Sequence, residues 1–162
     1  MKFMSELRKM TDKPHNVMIA GGGRIGTALA TKLESLYSLK VIEKNKNTAK
    51  LISEALSSAV VLTSDIADEN MLRDESIEDV DYFCAVTSDD QVNILSAKLA
   101  KEMGASKTIS IVNKSSYRNL VSKEIDIVVS PEDVTLSSLL AAARTSDIAV
   151  SYTHLTLPTS YP

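Results

Sequence analysis

Val17-Met18-Ile19-Ala20-Gly21-Gly22-Gly23-Arg24-Ile25-Gly26 is the stretch whose reading decides the fold. The apolar run Val17 to Ala20 has the makings of a buried strand, and it enters Gly21-x-Gly23-x-x-Gly26 without a spacer. Ile25 to Leu36 then carries apolar residues at helical spacing, which predicts a helix. Strand, glycine turn and helix, in that order, form the context that a dinucleotide-binding fingerprint requires. Gly21 permits the tight turn, Gly23 lets the backbone approach a pyrophosphate, and Gly26 lets the helix pack close to the strand. The unpaired N–H groups at the helix start, on the positive end of its dipole, would face the phosphates. Taken alone, the motif leaves open the lesser alternative of a glycine-rich turn that binds nothing, so the rest of the chain has to decide.

Outward from the turn, Leu39–Glu43 reads as a second strand. Glu43 ends it about 20 residues past the glycines, where the fingerprint expects the acid that hydrogen-bonds an adenosine ribose. Such a carboxylate accepts from both ribose hydroxyls and repels a 2′-phosphate, which favours NAD or an adenine nucleotide over NADP. Lys44 and Lys46 partly offset that repulsion, and a solvated acid before a turn is the lesser alternative for Glu43. A helix is expected from an Asn47 cap to about Leu56, with Ala49, Ile52, Ala55 and Leu56 on one face. Ala59–Thr63 lacks alternation and reads as a third strand buried on both faces. In a sheet of this kind the next loop, Thr63-Ser64-Asp65-Ile66, lies beside the adenine. There Asp65 either accepts from the adenine amino group or caps a turn.

A short helix around Glu69–Arg73 leads to a fourth strand, Val80–Val86, and then to Thr87-Ser88-Asp89-Asp90. Thr87 and Ser88 fall where the strand order should reverse, the crevice in which such folds bind ligands. Their hydroxyls and N–H groups are candidates for the pyrophosphate or a second ribose, while Asp89 or Asp90 caps the following helix. That helix, Gln91–Met103, carries Ile94, Leu95, Leu99 and Ala100 on one face and stops at Gly104. Lys107–Val112 gives a fifth strand, Asn113 to about Lys123 a loop and short helix, and Asp126–Val129 a sixth strand ended by Ser130-Pro131. Asp133–Arg144 is expected to be a last amphipathic helix. Strands and helices alternating in this way predict an α/β fold, a doubly wound, Rossmann-like parallel sheet of six strands in the order 3-2-1-4-5-6.

Composition sets the limits. A chain of 162 residues with 44% hydrophobic and 24% charged residues is ordinary for a globular domain with a real core. A net charge of −3 argues against nonspecific nucleic-acid binding, which leaves a basic footprint. No apolar run approaches the roughly 18 residues that a membrane span needs. Residues 1–6 lack the apolar core of a secretory signal. Cys84, the single cysteine, sits in an apolar run and reads as a buried small hydrophobe. With only two histidines besides, a zinc site is not expected. These features together point to a cytoplasmic protein.

Several further segments carry a family resemblance. They are I-A-G-G-G-R-I-G at 19–26, V-I-E at 41–43, D-Y-F-C-A-V-T-S-D-D at 81–90, N-I-L-S at 93–96, L-A-K-E-M-G-A at 99–105, I-D-I-V-V-S-P at 125–131 and T-L-S-S-L-L at 135–140. Over roughly residues 3–149 the chain resembles the second of the two RCK (KTN) nucleotide-binding domains of the TrkA family, cut before the small C-terminal subdomain that follows it there. Members of that family are peripheral subunits of Trk-type potassium uptake systems. The T-x-D-D loop and the S-P-x-x-x-T-x-x-x-L-L segment make the resemblance specific. It implies NAD(H) or an adenine nucleotide (ATP or ADP) as ligand. Gly21, Gly22, Gly23, Arg24, Ile25 and Gly26 would wrap the pyrophosphate and Glu43, beside Lys44, would hold the ribose. Asp65 and Ile66 would stand near the adenine, and Thr87 and Ser88 would line the crevice. Asn113 or Lys114 occupies the place where the family commonly has an arginine near the phosphates. Arg24 and Gln91 replace a frequent asparagine and a frequent glutamate. The resemblance also implies pairing into dimers or rings beneath a membrane-embedded potassium-translocating subunit, hence a place at the inner face of the plasma membrane.

The expected organisation is a lead-in over 1–14, whose Phe3, Met4, Leu7 and Met10 have roughly helical spacing, a nucleotide-binding domain over 15–130 and a crossover helix over 131–149. From residue 150 the chain changes character. Val150–Thr159 reads V-S-Y-T-H-L-T-L-P-T and resembles one reading frame of a transposase-type sequencing adapter, so a non-native tail over 150–162 is expected. A regulatory, non-enzymatic domain is the primary functional expectation. The alternative, a fragment of an NAD-dependent dehydrogenase, lacks an obvious acid/base group beside the nicotinamide and a substrate domain. A structural module with a vestigial site is the third reading, opposed by the intact glycines and Glu43.

Overall fold

A computed structural model describes the backbone of residues 15–150 and the side chains of 15–145. The lead-in over 1–14 and the adapter-like run beyond Val150 lie outside the described residues. Six strands, β1 (Asn16–Ala20), β2 (Ser38–Glu43), β3 (Val60–Thr63), β4 (Tyr82–Ala85), β5 (Lys107–Ile111) and β6 (Ile127–Val129), form one parallel sheet. Its order is β3-β2-β1-β4-β5-β6, as the spacing of strands and helices predicted. The helices are α1 (Arg24–Leu33), α2 (Lys46–Ala55), α3 (Glu69–Asp74), α4 (Asp90–Glu102), α5 (Ser115–Val121) and α6 (Pro131–Val150). A single 3₁₀ turn, Ile77–Asp79, precedes β4.

Side chains along a strand point alternately to its two faces, so each central strand feeds two cores. Val17, Ile19, Val41 and Cys84 pack on one face with Leu29, Leu33 and Ile52 from α1 and α2. Met18, Ala20, Ile42 and Phe83 pack on the other with Leu72, Ala97, Ala100 and Val121 from α3, α4 and α5. Burial on both sides explains why these strands read as continuous apolar runs. Cys84 is fully buried, and loss of hydration pushes its thiol up to about 12, so it packs as a hydrophobe.

Four expectations need correction. β3 is an edge strand with Val60 50% exposed, so its unbroken apolar run does not mean burial on both faces. α2 is capped by Asn45 rather than Asn47, with Asn45 Oδ1 accepting from Thr48 N at 3.0 Å. α1 ends at Leu33, leaving Leu36 beyond it and exposed. There the Glu34 carboxylate accepts from the N–H groups of Ser57, Ser58 and Ala59, bonds that hold it below the usual carboxylate range. Finally, α4 turns Asn93, Ser96, Ala97 and Ala100 to the sheet and leaves Leu95 exposed. Small side chains on that stripe let the helix lie close to β4 and β5.

The chain divides into two compact units at Val129–Ser130. In the second unit α6 starts at Pro131, a residue suited to a first helical position, and the Ser130 hydroxyl accepts from Asp133 N at 3.3 Å. Leu136 and Leu139 of α6 are exposed. Among the described residues no helix is long and apolar enough to cross a membrane.

Candidate nucleotide crevice

In a parallel sheet all C-terminal strand ends share one edge, and the order reverses between β1 and β4, the place where folds of this kind bind ligands. The glycine turn forms one wall. Gly21 has φ +120°, and a Cβ on it would stand 2.9 Å from Thr87 Cγ2. Its N–H donates to Ile42 O at 2.9 Å. A Cβ on Gly22 would overlap the Ile52 δ-methyl, and one on Gly26 would overlap the Gly21 carbonyl oxygen. Gly21 and Gly26 are demanded by the fold itself, whereas the Ile52 methyl that faces Gly22 ends a flexible side chain and can shift.

Gly23 is different. A Cβ there meets nothing within 4 Å, and its φ of −73° suits any residue. It caps α1 without a side-chain hydrogen bond, and the first turn holds no acid. The opening N–H groups of α1 therefore point out of the turn uncapped among the described residues, at the positive end of the dipole. Arg24 and Ile25 are exposed beside them, so the turn carries a cation where an isolated helix would favour an anion.

Glu43 reaches this wall from β2. Its Oε1 accepts from Gly22 N at 3.0 Å and its Oε2 from Asn45 N at 2.6 Å. An ionised carboxylate has about four acceptor positions, and these two bonds use two of them. Lys44 is exposed next to it. Asp65 and Ile66 lie farther out, after edge strand β3. Asp65 Oδ1 accepts from Ala67 N at 3.0 Å, the turn-capping geometry, and the Ile66 side chain is buried in the core.

The opposite wall is built from the turns after β4 and β5. Asp89 caps α4, its Oδ1 accepting from Gln91 N and Val92 N at 2.9 and 3.1 Å. Asn93, fully buried, accepts at Oδ1 from Thr87 N (2.9 Å) and Thr87 Oγ1 (2.6 Å). Its Nδ2 donates to Thr87 O (2.9 Å) and Ile111 O (3.0 Å). Asp90 accepts from Asn113 N, Asn113 Nδ2 and Lys114 N at 2.9, 3.0 and 2.9 Å. Burial pushes the Asp90 carboxyl up, but these N–H donors outweigh it and hold the group below the usual carboxylate range. Ser88 is exposed, and the Lys114 ammonium lies 5.1 Å from the Tyr117 ring centroid.

The glycine turn, Glu43 and Thr87 are thus brought together, and Asn113 and Lys114 are joined to them through α4. Asn93 and Asp90 were not among the expected site residues. The available signal was a polar residue on the same helical stripe as Ala97 and Ala100, which is unusual enough to require partners.

Comparison with known proteins follows the same outline. The chain is 43% identical to the Trk system potassium uptake protein TrkA of Vibrio alginolyticus over 90% of its own length, and it spans about a third (32%) of that relative. Its fold is shared with the NAD(P)-binding domain of an exopolyphosphatase-related protein from Archaeoglobus fulgidus, at 17% identity and a TM-score of 0.73, covering 81% of this chain and 98% of that one. The GsuK channel bound to NAD also shares it, at 20% identity and a TM-score of 0.63, covering 79% of this chain and 24% of that one. The family model of the TrkA-N domain matches residues 17–131, and the chain belongs to the TrkA-N domain family.

Proposed function

We propose that this domain binds NAD(H) or an adenine nucleotide (ATP or ADP) in the crevice and acts by binding rather than turnover. The observation that carries the reading is the uncapped start of α1 at Gly23, with open space in front of it and the Glu43 carboxylate beside it. Fixed N–H donors at a helix N-terminus suit a pyrophosphate, and a carboxylate beside them suits ribose hydroxyls. In this reading Gly21 to Gly26 hold the phosphates, with Arg24 adding charge, and Glu43 and Lys44 meet the adenosine ribose. Asp65 and Ile66 flank the base, and Thr87, Ser88, Asn113 and Lys114 face the rest of the ligand.

The naming of the Vibrio relative as a potassium uptake protein, and of GsuK as a channel bound to NAD, supports a regulatory role. Within a longer protein, nucleotide occupancy would shift the balance between two arrangements of paired domains. A membrane-embedded potassium-translocating subunit, at the cytoplasmic face of the membrane, would respond to that shift. Calorimetric titration with NADH, NAD, ATP and ADP tests the reading. Saturable binding of at least one below millimolar concentration is expected. If none of the four saturates in that range, the crevice is not a nucleotide site.

A further inference from the structure

The two walls of the crevice differ in what holds them. The Glu43 side is built by the glycine turn itself, whereas the far side has no glycine and depends on α4. Buried Asn93 fills all four of its hydrogen-bonding positions, with Thr87 N, Oγ1 and O and with Ile111 O. It therefore ties the turn after β4 to the end of β5, and Asp90, three residues earlier on the same helix, fixes the turn after β5 through Asn113 and Lys114. No donor or acceptor of Asn93 is left for a ligand, so any effect it has must pass through the backbone it holds.

We propose that Asn93 is a positioning residue that selects for the second half of a dinucleotide. The inference rests on the nucleotide reading above and adds a division of labour to it. A mononucleotide diphosphate such as ADP is satisfied by the glycine turn and Glu43. NADH extends past β1 onto the turns after β4 and β5, and its affinity depends on those turns being held in place before it arrives. Loosening the Asn93 clamp makes the dinucleotide order that wall at its own cost and leaves ADP unaffected.

The test is the ratio of NADH to ADP dissociation constants for Asn93→Asp and for Asn93→Ser, measured on the full chain where circular dichroism shows it folded. Asn93→Asp keeps the acceptor and removes both donors. Asn93→Ser shortens the side chain so that it no longer bridges Thr87 and Ile111. NADH should weaken about tenfold or more, the scale of losing a buried hydrogen bond, and ADP by less than about twofold. If Asn93→Asp does not fold, Asn93→Ser decides by the same ratio. Parallel loss for both ligands, as a purely structural role predicts, overturns the inference, and so does an unchanged ratio. A parent chain that binds ADP but not NADH keeps the nucleotide reading and overturns this one. Binding of neither overturns both.

Discussion

The turns after β1 and β4 stand side by side on the sheet edge, and each leads into a helix, yet they end in opposite states. At the start of α4 the Asp89 carboxylate satisfies two backbone N–H groups, and Asn93 holds the preceding Thr87 at three atoms. At the start of α1 no side chain caps the helix, and the space in front of Gly23 is open. Helix N-termini normally have their exposed donors met by Ser, Thr, Asp or Asn, as Asn45 and Asp68 do for α2 and α3. One turn is finished by the protein. The other has no side-chain cap, as at the start of α5.

Within the open turn the glycines do not share one role, and the largest effect comes from separating them. Gly26→Ala places a methyl group on the Gly21 carbonyl oxygen, which neither backbone can avoid. A loss of ~3 kcal/mol in urea denaturation is expected, at the upper end of overpacking effects. Stability within about 0.5 kcal/mol of the parent would mean that α1 and β1 are less tightly locked than this contact requires.

A second substitution makes the open turn a copy of the closed one. Gly23→Asp supplies the missing cap and a negative charge at the mouth of α1. Stability should rise by a few tenths of a kcal/mol, the usual gain over a glycine cap. Nucleotide affinity in the same calorimetric titration should fall at least about thirtyfold, roughly 2 kcal/mol, because the carboxylate takes the phosphate's donors. Retained affinity would place the ligand away from the helix start.

The smallest effect concerns acid. Asp90, in the closed wall, and Asp126, held by Thr108 N and Lys101 against the upward push of burial, both lie below the ordinary carboxyl value of 3.8. A folded-state value below the unfolded one contributes stability that is fully present above the unfolded value and disappears as pH falls through the folded one. The melting temperature should therefore hold above about pH 5 and drop below about pH 4. Asp90→Asn should show a shallower acid slope from a lower starting stability. An unchanged slope would mean that the Asn113 and Lys114 donors bind the charged and neutral carboxyl equally.

Much of this was legible in the chain. Val17–Ala20 followed by Gly21-x-Gly23-x-x-Gly26 specifies strand, turn and helix because only glycine fits the positive φ at 21 and the contact at 26. The spacing to Glu43 followed from the length of one crossover helix, and the parallel order from the alternation of apolar runs with amphipathic ones. These are local properties, written in periodicity and in residues that tolerate few alternatives. The full phase of α4 was not legible. Ile94 and Leu99 pack against the core and Ala100 is buried, as their spacing predicts. Leu95, however, is exposed, and the buried stripe also takes Asn93, Ser96 and Ala97. Nor was the choice of Asn45 over Asn47 as the α2 cap, since both residues are competent. Asn45 caps where its own N–H is also held by Glu43.

By itself, then, the sequence determined the fold, the sheet order and the place of the glycine turn, because each depends on backbone sterics and on the period of hydrophobic residues. Only the tertiary structure decided which side chains close the turns at the sheet edge and which turn stays open. Asn93 has no local reason to be buried, and Asp90 none to face Asn113 and Lys114. Both are explained only once β4, β5 and α4 pack together and leave backbone N–H and C=O groups that must find partners out of reach of water.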